Sequence, residues 1–236
     1  MQGAKIVYQL GESGLLITET VFLSLLVLLF VTVVCYWLTR NLAKVPTTKR
    51  QLVAEIIVNS VNNMIKTTMG QRYVKGYAPY IAAIMAYSFM GSSLSLLGLR
   101  PLTIDLNVTL SWGLMTFILM QANRFKSYGF IGYFKNLASP IAFMMPLNML
   151  SEMIIPVSLA FRHFGNILGG AVIMNLVRDG LNSLNNSLGI PFPLVQIGIP
   201  AALSAYLDVF AGFLQAYIFA TLTMVFISNR GKEELV

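Results

Sequence analysis

The sequence has few charged residues and a single cysteine. Asp, Glu, Lys and Arg make up 11% of its 236 residues, whereas 56% are hydrophobic and the mean hydropathy is +0.72. An average soluble domain carries about a quarter charged residues, so this composition excludes a water-soluble globule and indicates a membrane protein. Because Cys35 stands alone, a disulfide framework and a Cys-rich metal site are excluded. Nine acidic residues and one histidine remain, so each one that lies in an apolar stretch is informative.

Apolar runs divide the chain into membrane segments. A helix needs about 20 residues to cross the hydrocarbon core. The runs cover residues 20–38, 77–99, 106–123, 137–177 and 188–228. The first three match one crossing each, but each of the last two has 41 residues. Each predicts either two short spans or one helix inclined at about 60° to the membrane normal.

The middle of each long run lacks a turn rich in Gly, Asn or Asp, and its prolines are more typical of kinks. We therefore predict two long tilted helices that form a hairpin through residues 178–187. The predicted fold class is an all-α polytopic membrane protein with about five membrane helices, plus one surface helix.

Basic residues fall mainly on one side of this topology. With the N-terminal segment 1–19 outside, twelve Lys and Arg, including Arg124, lie in inner loops. Three lie in outer segments: Lys5, Arg100 and Arg178. Since cytoplasmic loops are enriched in Lys and Arg, we expect the C-terminus on the cytoplasmic side of the membrane. These positions explain most of the net charge of +7, so no nucleic-acid partner is expected. The N-terminal run lacks a cleavage site and is predicted to remain as an anchor.

Residues 48–70 form an amphipathic segment. Apolar side chains such as Val53, Ile57 and Ile65 share one helical face, and Lys and Asn occupy the other. We predict a helix capped by Thr47 or Thr48, ended by Gly70, and lying on the inner membrane surface. The alternative is an ordinary soluble helix packed on a partner.

A charged residue interrupts the fourth run. Arg162 cannot lose its proton at physiological pH, and an arginine at the centre of a membrane helix costs about 2.5–3.5 kcal/mol. Ser158, Arg162 and Asn166 succeed each other at four-residue intervals, so they form one polar stripe. Three glycines lie close to that stripe: Gly165, Gly169 and Gly170. Small residues there would let another helix approach closely.

The last run carries a matching stripe. Its members are Ser204, Asp208, Ala211 or Gly212, and Gln215. Glu152 lies ten residues before Arg162, about 15 Å along a helix and in another direction, which argues against a simple ion pair. These polar groups predict either a buried structural network or an ion path.

Three segments together resemble subunit a of F-type ATP synthases. They are PVSLAFRHFGNILGG at 156–170, QAYIFATLTMVF at 215–226 and DLNVTL at 105–110. The first resembles the family signature Ser-Leu-x-x-Arg-Leu-Phe-Gly-Asn. The order and spacing of the segments agree along nearly the whole chain. The resemblance also implies two long membrane-tilted helices in place of the double split.

The resemblance implies a role for each polar group. Arg162 would face the ion-carrying carboxylate on each subunit of the rotating c-ring. Asp208 would belong to an outer half-channel and Glu152 to the neighbourhood of an inner one. Three residues match family positions near the rotor contact: Asn166, Gly170 and Gln215.

Two departures from the family pattern affect these expectations. Ala171 stands where the family often has Glu or His, so Asp208 is expected to carry more of the proton chemistry of the outer half-channel. His163 replaces the usual leucine after the arginine and is predicted either to relay protons or to pack. Asp179 is expected to be solvated in the hairpin rather than to line the channel entrance.

The resemblance implies an ion-translocating subunit that is not an enzyme on its own and holds no cofactor or metal. Its expected partners are the c-ring, the peripheral-stalk b subunits, the rest of the complex and the lipid bilayer. The expected compartment is a bacterial plasma membrane, and the alternative is the inner or thylakoid membrane of an organelle. The coupling ion is either a proton or Na⁺, because the rotor chain largely sets that choice. Two competing interpretations are a self-contained permease, for which repeated halves are missing, and a non-conducting scaffold.

Overall fold

The computed structural model describes residues 6–10, 15–43, 48–139, 141–188 and 194–229. Most of these residues are helical, which confirms the predicted all-α polytopic membrane fold. The α-helices are α1 (Glu19–Thr39), α2 (Lys49–Thr68), α3 (Val74–Ser93), α4 (Leu106–Leu137), α5 (Met145–Leu188), α6 (Leu194–Ala205) and α7 (Gly212–Asn229).

A short β-hairpin precedes α1 and was not predicted. Strands β1 (Ile6–Leu10) and β2 (Leu15–Thr18) pair antiparallel within the segment expected to be the outer N-terminus. Thr18 ends the second strand and caps α1, because its hydroxyl accepts a hydrogen bond from the Val21 N–H at 3.4 Å.

Within the described residues, four helical segments are long and apolar enough to cross a membrane. They are Glu19–Thr39, Gln71–Leu97, Met145–Ser187 and Pro200–Ser228. The predicted span 106–123 lies in α4, which continues to Leu137 with a kink at Gly129, where φ is 68°. Its apolar character is diluted by polar residues such as Gln121 and Arg124, so its crossing of the bilayer stays a prediction.

The amphipathic segment forms α2, as its pattern predicted. The Thr48 side chain accepts a hydrogen bond from the Gln51 N–H at 3.4 Å and so caps the helix. Gly70 comes after the helix end with φ of 102°, a conformation that glycine adopts readily. Ile65 is buried in the bundle, whereas Val53 and Ile57 remain exposed. The apolar face is therefore covered only towards the end of α2.

Helix α5 is one continuous element of 44 residues, about 65 Å long. It begins at Met145 rather than at 137, because Leu137 is the last residue of α4 and Ala142–Met144 form a 3₁₀ turn. It also continues to Leu188, so the expected hairpin at 178–187 is helical. Polar residues end the apolar run there without ending the helix. Residues 189–193 lie outside the described residues.

The last apolar run is likewise helical from Leu194 to Asn229, but a π-helical segment at Tyr206–Ala211 separates α6 from α7. Such segments insert a residue into a helix and occur frequently at functional sites. Pro200 lies inside α6 without splitting it into two antiparallel spans.

Helices α3, α4, α5 and α7 pack around one apolar interior. Fully buried residues include Ile81 of α3, Met120 of α4 and Met224 of α7. Gly113 of α4 lies directly against the backbone carbonyl of Pro156 in α5, so a side chain there would collide with that oxygen. Many large apolar side chains stay exposed on the outside of this bundle, as expected for surfaces that face lipid or other membrane subunits.

Candidate functional site

A buried polar node joins four helices at His163. The His163 side chain of α5 is fully buried, and its Nε2 lies 2.8 Å from the Ser88 hydroxyl of α3. Its Nδ1 lies 3.5 Å from the Gln215 amide nitrogen of α7. Since an amide nitrogen only donates, Nδ1 accepts, and the ring hydrogen on Nε2 points to Ser88. The imidazole ring also makes T-shaped contacts with the rings of Trp112 and Phe219.

Arg162 lies on a different face of the same helix, as the sequence predicted for adjacent residues. Its side chain is exposed, and so are Ser158 and Phe161. Arg162 makes no hydrogen bond or ion pair with any other residue that the structure describes. Its guanidinium is therefore presented outward from the bundle and not towards Glu152.

The three glycines near Arg162 lie beside open space. A Cβ atom added at Gly165, Gly169 or Gly170 would meet nothing within 4 Å in the described chain. The predicted close approach of a helix at these glycines thus does not come from within this chain's described residues. All three glycines also line the cavity described next.

Asp208 lines a cavity of about 440 Å³ between α5 and the π-helical segment. Asn166, Gly169 and Arg178 line it from α5, and Ser95 lines it from the 3₁₀ turn after α3. The Asp208 carboxylate is partly exposed and lies within interaction range of the Ser95 hydroxyl and the Arg178 guanidinium. The cavity therefore combines one carboxylate with several hydroxyl and amide groups.

The stripe predicted on the last helix is divided in the structure. Ser204, Asp208 and Ala211 line the cavity, whereas Gln215 is buried against His163. Gly212 is buried instead at a close contact with Ser92 of α3. Asp208 and Ala211 belong to the π-helical segment, so the spacing of a regular α-helix does not hold between Ser204 and Gln215.

Glu152 is buried and forms an ion pair with Arg124 of α4. Its second carboxylate oxygen accepts a hydrogen bond from the Gln121 amide at 2.9 Å, and the Arg124 guanidinium also lies 5.0 Å from the centre of the Tyr133 ring. This explains why Glu152 is not the counter-ion of Arg162. The sequence interpretation of Arg124 as a loop residue was wrong, because its side chain is 2% exposed.

Three cavity residues were missed or assigned differently from the sequence. Ser95 and Asn175 were not singled out, and Arg178 was interpreted only as an outer loop residue. Asp179 is exposed and does not line the cavity. Within the described part of the chain, no three His, Cys, Asp or Glu side chains come together in a way that could hold a metal ion.

Comparisons of the sequence with known proteins identify the family of this chain. The sequence model of the family described as ATP synthase A chain matches residues 20–228. The chain belongs to this family. It is therefore a non-catalytic subunit of the membrane sector of F-type ATP synthases, where it takes part in ion translocation with the c-ring and the rest of the complex. Membership replaces the permease and scaffold interpretations.

Individual relatives resemble most of the chain. ATP synthase subunit a, sodium ion specific, of Propionigenium modestum is 30% identical over 93% of this chain and 76% of that relative. ATP synthase subunit a of Sulfurihydrogenibium sp. is 33% identical over 89% of this chain and 96% of its own length. The subunit a of Enterococcus hirae is 28% identical, covering 87% of this chain and 88% of its own.

The buried ion pair gives a test of how this family member compensates its charges. Arg124→Gln and Glu152→Gln should each destabilise the subunit by about 3–5 kcal/mol, because each leaves one buried charge without its partner. The double variant should recover much of that loss. The measurement is the thermal midpoint of the purified complex together with the recovery of the subunit in it.

Lys135→Gln is the matched control, since it removes an exposed cation from the same helix and should leave the midpoint unchanged. Additive losses in the double variant would contradict a direct interaction between the two charges.

Proposed function

We propose that Arg162 is the stator cation that faces the rotor carboxylates, and that the Asp208 cavity belongs to the outer half-channel. The observation that carries the proposal is the exposed position of Arg162, without a partner in the described chain, beside glycines that border open space. A permanent charge on an apolar helix needs compensation, and a carboxylate of another subunit supplies it.

The Asp208 cavity leads from the far end of α5 towards the Arg162 face. It contains Arg178 at one end and reaches Gly165, one turn beyond Arg162, at the other. Carboxylate, amide and hydroxyl groups along it offer hops for a proton or ligands for Na⁺. Arg178 also lines the cavity, so its positive charge opposes the accumulation of cations there.

The inner half-channel is proposed to pass near Glu152. Its buried carboxylate is already compensated by Arg124, so Glu152 would serve as a polar lining group rather than as an isolated carrier. Gln121 supplies an amide beside it. Arg162 stands between this region and the Asp208 cavity along α5, where its positive charge would oppose direct leakage of cations from one half-channel to the other.

Ion transfer is then a consequence of electrostatics. An ion that enters past Asp208 neutralises a rotor carboxylate, which can turn through lipid because an unpaired ionised group would be costly there. When the carboxylate reaches Arg162 from the other side, the adjacent positive charge favours its ionised form and the ion leaves inward. Each elementary charge gains about 2.3 kcal/mol per 100 mV, so several crossings are needed for one ATP.

The proposed orientation has the N-terminal hairpin outside and the end of α7 in the cytoplasm of a bacterial cell. The support is the excess of Lys and Arg in the segments that this topology places inside. In this proposed arrangement, α4 is a fifth membrane crossing and α2 lies on the membrane surface. The b subunits are neighbours of the chain.

We further propose that His163 positions Gln215 and does not relay ions. The ring is fully buried, its two nitrogens are both used in the node with Ser88 and Gln215, and its neighbours Trp112 and Phe219 are not proton carriers. The fixed amide of Gln215 would in turn hold α7 in register with α5 beside Arg162.

Arg162→Ala is expected to abolish coupled ATP synthesis while the subunit still assembles, because no described residue of the chain depends on the guanidinium as a partner. ATP synthesis in inverted membrane vesicles and the subunit content of the purified complex are the measurements. Ser158→Ala, one turn away on the same exposed stripe, should retain most activity. Coupled synthesis in Arg162→Ala would overturn the stator role.

Asp208→Asn should slow ion flux through the membrane sector by about tenfold or more, since a neutral amide cannot exchange a proton or hold a cation as a carboxylate does. Passive flux through vesicles stripped of the catalytic sector measures this directly. Asp179→Asn is the control, because that carboxylate is exposed outside the cavity. Equal flux in both variants would return Asp208 to a structural role.

His163→Leu separates positioning from relay. Loss of positioning should lower flux without changing the shape of its pH profile, and His163→Gln should restore part of the flux through a new amide contact. Flux measured from acid to alkaline pH in the same vesicles gives both quantities. A pH profile that changes when His163 is replaced would show that the imidazole carries protons.

A further inference from the structure

We propose that a second cavity binds the phosphate group of an anionic phospholipid. This cavity lies between the start of α3 and the second half of α4. Its volume is about 330 Å³. It is lined by Arg72, Tyr73, Gly76 and Tyr77 on one side and by Asn123, Lys126 and Ser127 on the other. It is lined by different residues from the Asp208 cavity, and the proposed ion path does not use it.

The position of the cavity fits the headgroup level of a membrane. Arg72 lies one residue inside the start of the candidate span Gln71–Leu97. On the other side, the Asn123 amide donates a hydrogen bond of 3.0 Å to the carbonyl oxygen of Ile227, one residue before the end of the span Pro200–Ser228. Two membrane-crossing segments thus end at this level, where phosphate groups and tyrosines meet water.

The charge of the cavity selects an anion. Arg72 and Lys126 are both exposed, and neither forms an ion pair with a residue that the structure describes. The residues known to line the cavity bring two cations and no carboxylate. A transported cation would be repelled here, whereas a phosphate could accept hydrogen bonds from the guanidinium and the ammonium group.

The donor groups are arranged around the space rather than on one helix. The Arg72 guanidinium lies 5.1 Å from the centre of the Tyr73 ring, which restrains it at the rim. The hydroxyl of Ser127 adds a further donor on the α4 side. Cations from two separate helices can therefore contact different oxygens of one phosphate.

The surroundings favour a lipid over phosphate free in water. Phe125, the residue before Lys126, is exposed and stacks on Tyr133 with ring centres 4.2 Å apart. Phe130 is also exposed and stacks on Phe125. These exposed apolar rings lie on the same stretch of α4 as the cavity's Lys126 and Ser127. Cations and apolar rings at one level of the membrane match the headgroup and acyl chains of a phospholipid, whereas a free phosphate would use the cations alone.

The test uses the intact ATP synthase in nanodiscs that contain phosphatidylglycerol and phosphatidylcholine in equal amounts. The complex is released into mild detergent, and the lipids that stay bound are counted by mass spectrometry. We expect retained phosphatidylglycerol in the native complex and an approximately tenfold weaker affinity in Arg72→Gln/Lys126→Gln, because each basic residue near an anionic headgroup contributes to binding.

Lys66→Gln/Lys75→Gln is the matched control, since it removes two exposed cations nearby that do not line the cavity. Equal retention of phosphatidylglycerol in the two double variants would overturn the proposal. Arg72→Lys/Lys126→Arg preserves the charges and should retain the lipid, which separates loss of binding from loss of folding.

Two further arms distinguish other occupants. Inorganic phosphate added to the detergent-solubilised complex should displace phosphatidylglycerol only weakly; saturation by phosphate with no preference for the lipid would overturn the lipid assignment. Loss of a peripheral-stalk subunit from the Arg72→Gln/Lys126→Gln complex, with lipid content unchanged, would show a protein contact instead. Neither readout depends on ion flux, so the result is independent of the roles of Arg162 and Asp208.

Discussion

A guanidinium cannot give up its charge in an apolar environment, and the interior of this protein is organised around that constraint. The charge of Arg124 is compensated within the chain, where its buried side chain lies among Glu152, Gln121 and the Tyr133 ring. The charge of Arg162 is not, because its exposed side chain has no partner in the described residues. One arginine therefore forms a contact between α4 and α5, while the other is the charge that we propose faces the rotor.

One face of α5 packs inside the helix bundle, and another carries the exposed Arg162. Adjacent residues on a helix point about 100° apart, so His163 is directed into the bundle when Arg162 is directed out. The inward histidine contacts helices α3, α4 and α7 through Ser88, Trp112 and Gln215. These contacts fix the rotation of α5 about its axis, and that rotation determines where the outward arginine points.

Local patterns and one distinctive motif made part of this structure predictable from the sequence. The apolar runs and the mismatch between Glu152 and Arg162 required only helical periodicity. A cap at Thr47 or Thr48 followed from side-chain chemistry, and the outward arginine followed from the resemblance to subunit a. Pairings between distant segments were not predictable in this way. Arg124 looks like a loop cation because it ends an apolar run, and only the packing of α4 on α5 brings it to Glu152. The end of α5 was missed because polarity ends an apolar run, not a helix.

The π-helical segment shows how a spacing argument can find the right residues and still place them wrongly. Asp208 and Gln215 are seven residues apart, which in a regular α-helix puts both on one side. The segment Tyr206–Ala211 interrupts that repeat, so Gln215 reaches the buried node while Asp208 turns to the cavity. A regular helix would direct both groups to one environment. The irregular turn lets α7 bury the Gln215 amide while the Asp208 carboxylate of the turn stays accessible, and we propose that the ion path uses both properties.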